Sequence, residues 1–179
     1  MRKTITQFAI GILAIFTFSC DDIDKLTQFR MNYTESVTIE SSTVIGIPID
    51  LSTPSIPSNS ESTFAGNNTS KDLIEEISLE SMTLTITSPQ DGEFSFLESA
   101  LLLISADGLD EVEIAYIESI PDDIGNSIDM EVTGVNVKDY LLKDQFSLRM
   151  KSSTDKTISQ DHTIDIKSTF FVDAKIFGQ

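Results

Sequence analysis

Short runs in which apolar and polar residues alternate make up most of the chain. Phe29, Met31 and Tyr33 alternate with Arg30, Asn32 and Thr34, the period-two signature of a half-buried strand. Ser36–Ile39 extends that strand past a turn. Met82, Leu84 and Ile86 alternate with threonines, and Ser88-Pro89-Gln90-Asp91-Gly92 ends the run with turn residues. Ile128, Met130 and Val132 alternate again, as do Phe146, Leu148 and Met150. Thr163–Lys167 and Phe170–Phe177 close the chain as strand.

Other runs depart from simple alternation. Val44–Leu51 is β-branched and apolar, but Pro48 cannot donate to a ladder, which predicts an edge strand or a break there. Ala100–Ser105 is a short apolar run that reads as a strand buried on both faces. Val112, Ile114, Tyr116 and Glu118 are expected on one side of the next strand, an apolar face except at its end. Residues 52–70 are dominated by Ser, Pro, Asn and Gly and predict a loop of nearly twenty residues, long by ordinary standards. Ser70 is placed to cap a short helix over Lys71–Glu76. The second half of Val135–Asp144 predicts one or two helical turns, and Ser152–Ser159 a polar hairpin loop. Eight or nine strands at roughly ten-residue spacing, with no long helices between them, predict an all-β fold, an antiparallel β-sandwich. A parallel sheet would need helical crossovers. One domain over 29–179 accommodates this pattern.

The first twenty residues follow another rule. In MRKTITQFAIGILAIFTFSC, Arg2 and Lys3 form a basic start and Phe8–Phe18 an apolar core of about eleven residues. That is too short to span a bilayer, which takes about twenty apolar residues. Ser19 and Cys20 end the segment, and Cys20 is the single cysteine of the chain. This resembles the lipobox of bacterial lipoprotein signal peptides, in the relaxed form of Bacteroidota-type lipoproteins. Ser19 and Cys20 match the box, whereas Thr17 stands in place of the commoner Leu and Phe18 is bulkier than usual. The resemblance implies cleavage after residue 19 and lipid on the Cys20 thiol, often with acylation of the new amine. Two or three acyl chains hold a protein firmly where one does not. Residues 20–28 then form an acidic tether. Its Cys20-Asp21-Asp22-Ile23-Asp24 start is similar to the surface-export signal of some Bacteroidota lipoproteins, interrupted by Lys25. The resemblance implies an outer-membrane location, with the domain facing outward if the export signal operates. Beyond its first twenty residues, the chain resembles uncharacterised lipoproteins only in general pattern.

Charge narrows the partners. The net charge is −17; removing residues 1–19 takes away Arg2 and Lys3 and leaves −19. A body this acidic is repelled by nucleic-acid phosphates and anionic headgroups, so no nucleic-acid partner is expected. Without cysteine beyond residue 20 there is no internal disulfide.

Candidate chemistry is sparse. His162 is the only histidine, so a His-based zinc site lacks ligands. A Ser–His–Asp triad lacks a Gly-x-Ser-x-Gly elbow. His162 reads as an ordinary surface or strand-edge residue. The acidic turns Asp107-Gly108-Leu109-Asp110-Glu111 and Pro121-Asp122-Asp123 offer oxygens to calcium but lack EF-hand spacing; they read as solvated turns. No catalytic residue, cofactor or metal is expected. Three functional readings follow. The first is a non-catalytic envelope module that binds a protein or glycan, or serves as an accessory subunit. The second is a carbohydrate-active enzyme with paired carboxylates, against which the absence of Trp weighs. The third is an apolar-ligand carrier in which the Phe-rich strands enclose a pocket; otherwise those phenylalanines fill the core.

Overall fold

The computed structural model describes residues 27–46 and 48–175. The signal segment, Cys20, most of the tether and the last part of the predicted closing run, 176–177, lie outside the described residues. Within them, ten strands form two antiparallel sheets. The strands are β1 (Phe29–Ile39), β2 (Pro48–Ser52), β3 (Ile56–Pro57), β4 (Ile74–Ser88), β5 (Leu97–Ala106), β6 (Leu109–Ile117), β7 (Ser127–Asp129), β8 (Glu131–Val132), β9 (Gln145–Thr154) and β10 (His162–Ala174). Two short helices, α1 (Ser60–Gly66) and α2 (Lys138–Leu141), lie in connections. The predicted all-β sandwich is what the chain forms.

One sheet runs β1-β10-β4-β7 and the other β2-β9-β5-β6-β8, with β3 on β9. Leave out the short β3 and β8, and the first strand pairs with the last, the second with the second-last, and so inward. That nested pairing is the jelly-roll topology. It follows from wrapping one long hairpin around a barrel-like core, with each strand finding its partner antiparallel.

The central strand β10 shows how sequence builds this. Over thirteen residues it alternates without a fault: His162, Ile164, Ile166, Ser168, Phe170, Val172 and Ala174 are buried. Every second side chain therefore faces the same sheet-to-sheet interior. Its neighbour β4 reaches the same result irregularly. Its buried residues are Ile74, Ile77, Leu79, Met82, Leu84 and Ile86, at spacings of three and two. Register shifts against β10 leave Glu75, Glu80 and Thr87 without a partner position. Such bulges absorb one residue and restore the inward phase. The predicted helix over 71–76 is corrected for this reason. Lys71–Leu73 is one 3-10 turn, and from Ile74 onward the chain is strand. Ser70 precedes that turn without a side-chain capping bond.

Several other expectations change. The 52–70 segment is not a free loop: β3 and α1 lie within it, with Ile56 and Phe64 buried. Phe64 meets Phe29 edge-on at 6.0 Å. In the 44–51 run, strand begins only at Pro48, on the sheet edge. The alternation Ile128, Met130, Val132 is shared between β7 and β8, which belong to different sheets. Thus Ile128 and Met130 are buried while Val132 is exposed. In β5, Leu102 and Ile104 are buried, whereas Leu101 and Leu103 are half-buried on the outer face, so that strand is not covered on both sides. The predicted 152–159 loop starts later, because β9 runs to Thr154.

The interior is filled by aromatic and aliphatic contacts between the sheets. Tyr33, Phe146 and Phe170 form an edge-to-face cluster with centroids 5.0, 5.9 and 6.2 Å apart. The Tyr33 hydroxyl escapes this apolar surrounding by donating to the Ser58 carbonyl at 2.6 Å. Burial pushes the Tyr33 phenol pKa up, because the phenolate loses its water there.

Candidate binding surfaces of the sandwich

Strand direction sorts the connections into two ends. At one end, Ile39 lies opposite His162, Ser88 opposite Thr163, Pro48 opposite Ser153, and Ile117 opposite Ala100. The 40–47, 89–96, 118–126 and 155–161 connections therefore meet there. At the other end are α1, α2, the 107–108 turn, the start of β1 and the end of β10. The chain enters at Phe29 among the helices and is carried by the eleven residues of β1, about 35 Å at strand rise, to the loop end.

The loop end is tied together by backbone bonds. Ser42 and Ile158 exchange hydrogen bonds of 2.9 and 2.8 Å, and Gly46 donates to Thr154 at 2.8 Å. Ser41 donates to the Asp161 carboxylate at 2.8 Å, which holds that acid's pKa below the usual range. Phe94 donates to Gly125 at 2.8 Å and Ile120 to Glu98 at 2.9 Å. Lys156 pairs with Asp122 across the top. Residues 40–46 stand on this base and hold Val44 and Ile45 in solvent, each 59% exposed. Beneath them, a cleft of about 300 Å³ opens between the edges of the two sheets. Ile39, Ile49, Leu51 and Ile158 supply its apolar walls, and Glu40 and Asp50 sit among its polar lining.

His162 lies under the same end, and its expected surface position is corrected. It is 6% exposed, on the inward face of β10, with its ring 4.6 Å from that of Phe96. Nδ1 has no hydrogen-bond partner. Burial lowers the imidazole pKa; the Gln160 backbone and the carboxylates of Asp161 and Asp91 oppose that shift. Gly92 permits the packing, since a Cβ there would stand 2.8 Å from Ile86 Cγ2 and 3.1 Å from the imidazole. Among the described groups, no serine is bonded to it, so the geometry is that of a core residue.

The outer face of the larger sheet carries an ionic arrangement that strand alternation did not reveal. Arg149 donates to Asp50, with Nε–Oδ1 at 2.5 Å, and through Nη1 to Glu111 at 3.1 and 2.9 Å. These bonds raise the guanidinium pKa, and Arg149 in turn lowers that of Asp50. Glu111 of the first acidic turn is thus engaged by a cation of the chain itself. Asp122 of the second turn is engaged by Lys156. One cross-strand row on this face contains Asp50, Lys151, Leu101, Tyr116 and Glu131. The expectation that Tyr116 shares a face with Val112 and Ile114 is corrected. A register shift between Leu102 and Leu103 makes room for Ile114 as an extra residue. Ile114 and Ala115 are both buried, and Tyr116 turns outward to bond Glu131, which raises its pKa.

Among the described residues, no three of His, Cys, Asp and Glu converge to hold a metal ion. None of the described helices is long and apolar enough to cross a membrane.

No family model matches the chain, and no curated protein matches it in sequence. In structure it is similar to a chain of Desmodium yellow mottle tymovirus, at 11% identity and a TM-score of 0.28, over 100% of this chain and 92% of that one. It is also similar to a chain of turnip yellow mosaic virus, at 13% identity and a TM-score of 0.31, over 85% and 96% respectively. A chain from empty-head turnip yellow mosaic virus gives 12% identity and a TM-score of 0.27, over 99% and 92%. Similarities this distant carry no argument about function.

Proposed function

We propose that the chain is a lipid-anchored cell-envelope protein, held on the outer membrane through Cys20, that acts as a non-catalytic binding or accessory module. The observation that carries the reading is the segment Met1–Cys20: a basic start, a short apolar core, and the chain's only cysteine at its end. The direction of β1 supports it. Nine tether residues, 20–28, reach at most about 30 Å, so they lead into the helical end and leave the four-loop end free. The buried, enclosed position of His162 supports a binding role over catalysis by that residue.

Growth with radiolabelled palmitate tests the anchor. The wild type is expected to carry label and to sediment with membranes, and Cys20→Ala to do neither. Label retained by Cys20→Ala would refute it. Protease treatment of intact cells then distinguishes a surface-facing domain, which is shaved, from a periplasmic one, which is protected.

A further inference from the structure

We propose that the four-loop end is a docking tip for a protein segment that carries an apolar side chain flanked by lysine or arginine. The proposal rests on the reading of the chain as an anchored binding module, and it adds where binding occurs and what is bound.

The apolar half of the argument comes from exposure. Val44 and Ile45 are adjacent, β-branched and each 59% exposed; among the described residues the other large apolar side chain so exposed is Val132, at 37% and in β8. Scattered single apolar residues are normal on surfaces. A pair held out on a loop that is anchored at Ser42 and Gly46 is not scatter. The loop also stands beside the cleft walled by Ile39, Ile49, Leu51 and Ile158. Val44 and Ile45 do not line that cleft. An occupant that meets both must therefore extend beyond about 300 Å³, as a peptide segment does and a small ligand does not.

The charged half comes from the loops themselves. Glu40 opens the first loop, Asp91 and Glu93 lie in the second, Asp122 and Asp123 in the third, and Asp155 and Asp161 bracket the fourth. Lys156 is the one basic residue among these four loops, and it is already paired with Asp122. Because the four loops share one end, the fields of their carboxylates add at the tip wherever they fall within a screening length, roughly 8–10 Å at physiological salt. That field repels anionic lipid, nucleic acid and acidic protein, and attracts a basic segment. Complementary charge speeds encounter and selects among partners, while apolar contact holds the complex.

The test uses the full chain in nanodiscs of zwitterionic lipid and three labelled peptides. One alternates Lys with Leu, one Lys with Ser, and one Glu with Leu. The Lys-Leu peptide is expected to bind at least about tenfold more tightly than either control, and to weaken as salt rises. Val44→Ser with Ile45→Ser, and separately Glu40→Lys, each lower its affinity, while Arg30→Ala at the opposite end of β1 does not. Circular dichroism verifies that the variants are folded. Equal binding of the Lys-Leu and Lys-Ser peptides overturns the proposal, because charge alone then suffices. So does full affinity in both tip variants. Self-association in sedimentation that vanishes with Val44→Ser and Ile45→Ser also overturns it, by making a second copy the occupant. If the chain does not enter nanodiscs, the anchor reading fails; the same titration in buffer still decides the tip.

Discussion

The bulge in β6 decides which of the three consecutive side chains Ile114, Ala115 and Tyr116 belong to the core, and one substitution at each tests it. Ile114 and Ala115 are both fully buried, and Tyr116 points away from the core. Ile114→Ala removes a buried side chain and leaves a cavity, at a cost of about 2–5 kcal/mol. Ala115→Leu forces extra carbons into a closed interior beside Leu102, its cross-strand partner, at about 1–3 kcal/mol. Tyr116→Ala removes a ring from the outer face, and its cost is expected to be far smaller than that of Ile114→Ala. Unbroken alternation predicts another order. Tyr116 would sit in the core, its loss would cost about 3–5 kcal/mol, and Ala115→Leu would be nearly neutral on the outside. Urea unfolding followed by far-ultraviolet circular dichroism separates the two orders and suits a chain without Trp. Equal losses for Tyr116→Ala and Ile114→Ala, with a neutral Ala115→Leu, would refute the bulge and return Tyr116 to the interior.

Two further outcomes are expected. Burial favours neutral His162, so its proton is bound more weakly in the folded state than at the usual value of 6.5. The corresponding stability is complete above 6.5 and is lost as pH falls from there through the lowered folded value. Because the chain has one histidine, its imidazole resonance can be titrated without assignment, and a midpoint at or above 6.5 contradicts the buried position. Phe64→Ala is expected to cost about 3–5 kcal/mol, since Phe64 is 1% exposed against Phe29; a loss near zero in urea unfolding would return residues 52–70 to a solvated loop.

What the sequence made legible follows from how each strand meets its neighbour. In β9 the inward residues Phe146, Leu148 and Met150 follow from alternation alone, whereas in β10 the inward His162 and Ser168 are polar, which hid two of its buried positions. β4 and β6 could not be read so, because a bulge is a relation between two strands and leaves no mark in one. Glu75 and Glu80 were the nearest to a signal. A charge inserted where alternation asks for an apolar residue is tolerated only if the phase slips. Ile56 and Phe64 were hidden by composition. Two apolar residues among many Ser, Asn and Pro look incidental until Phe29 is known to lie beside one of them.

The candidate tip was hidden for a larger reason. Its four loops are spread over some 120 residues of sequence, from Glu40 to Asp161, and nothing local relates them. The nested pairing of first strand with last brings the 40–47 and 155–161 loops into contact, and the inner pairs bring in 89–96 and 118–126. Asp and Gly in each loop are what any turn uses, so each acidic turn taken alone reads as solvation. Brought to one end, their charges add there, beside the only adjacent pair of exposed large apolar residues among those described. The pairing also leaves the start of β1 at the opposite end, about 35 Å away at strand rise. With the proposed anchor at Cys20, an even number of strand crossings between anchor and loops would bury this end against the membrane. Here one strand, β1, separates residue 28 from the first of the four loops, and that single crossing turns an acidic, apolar-tipped end away from the proposed point of attachment.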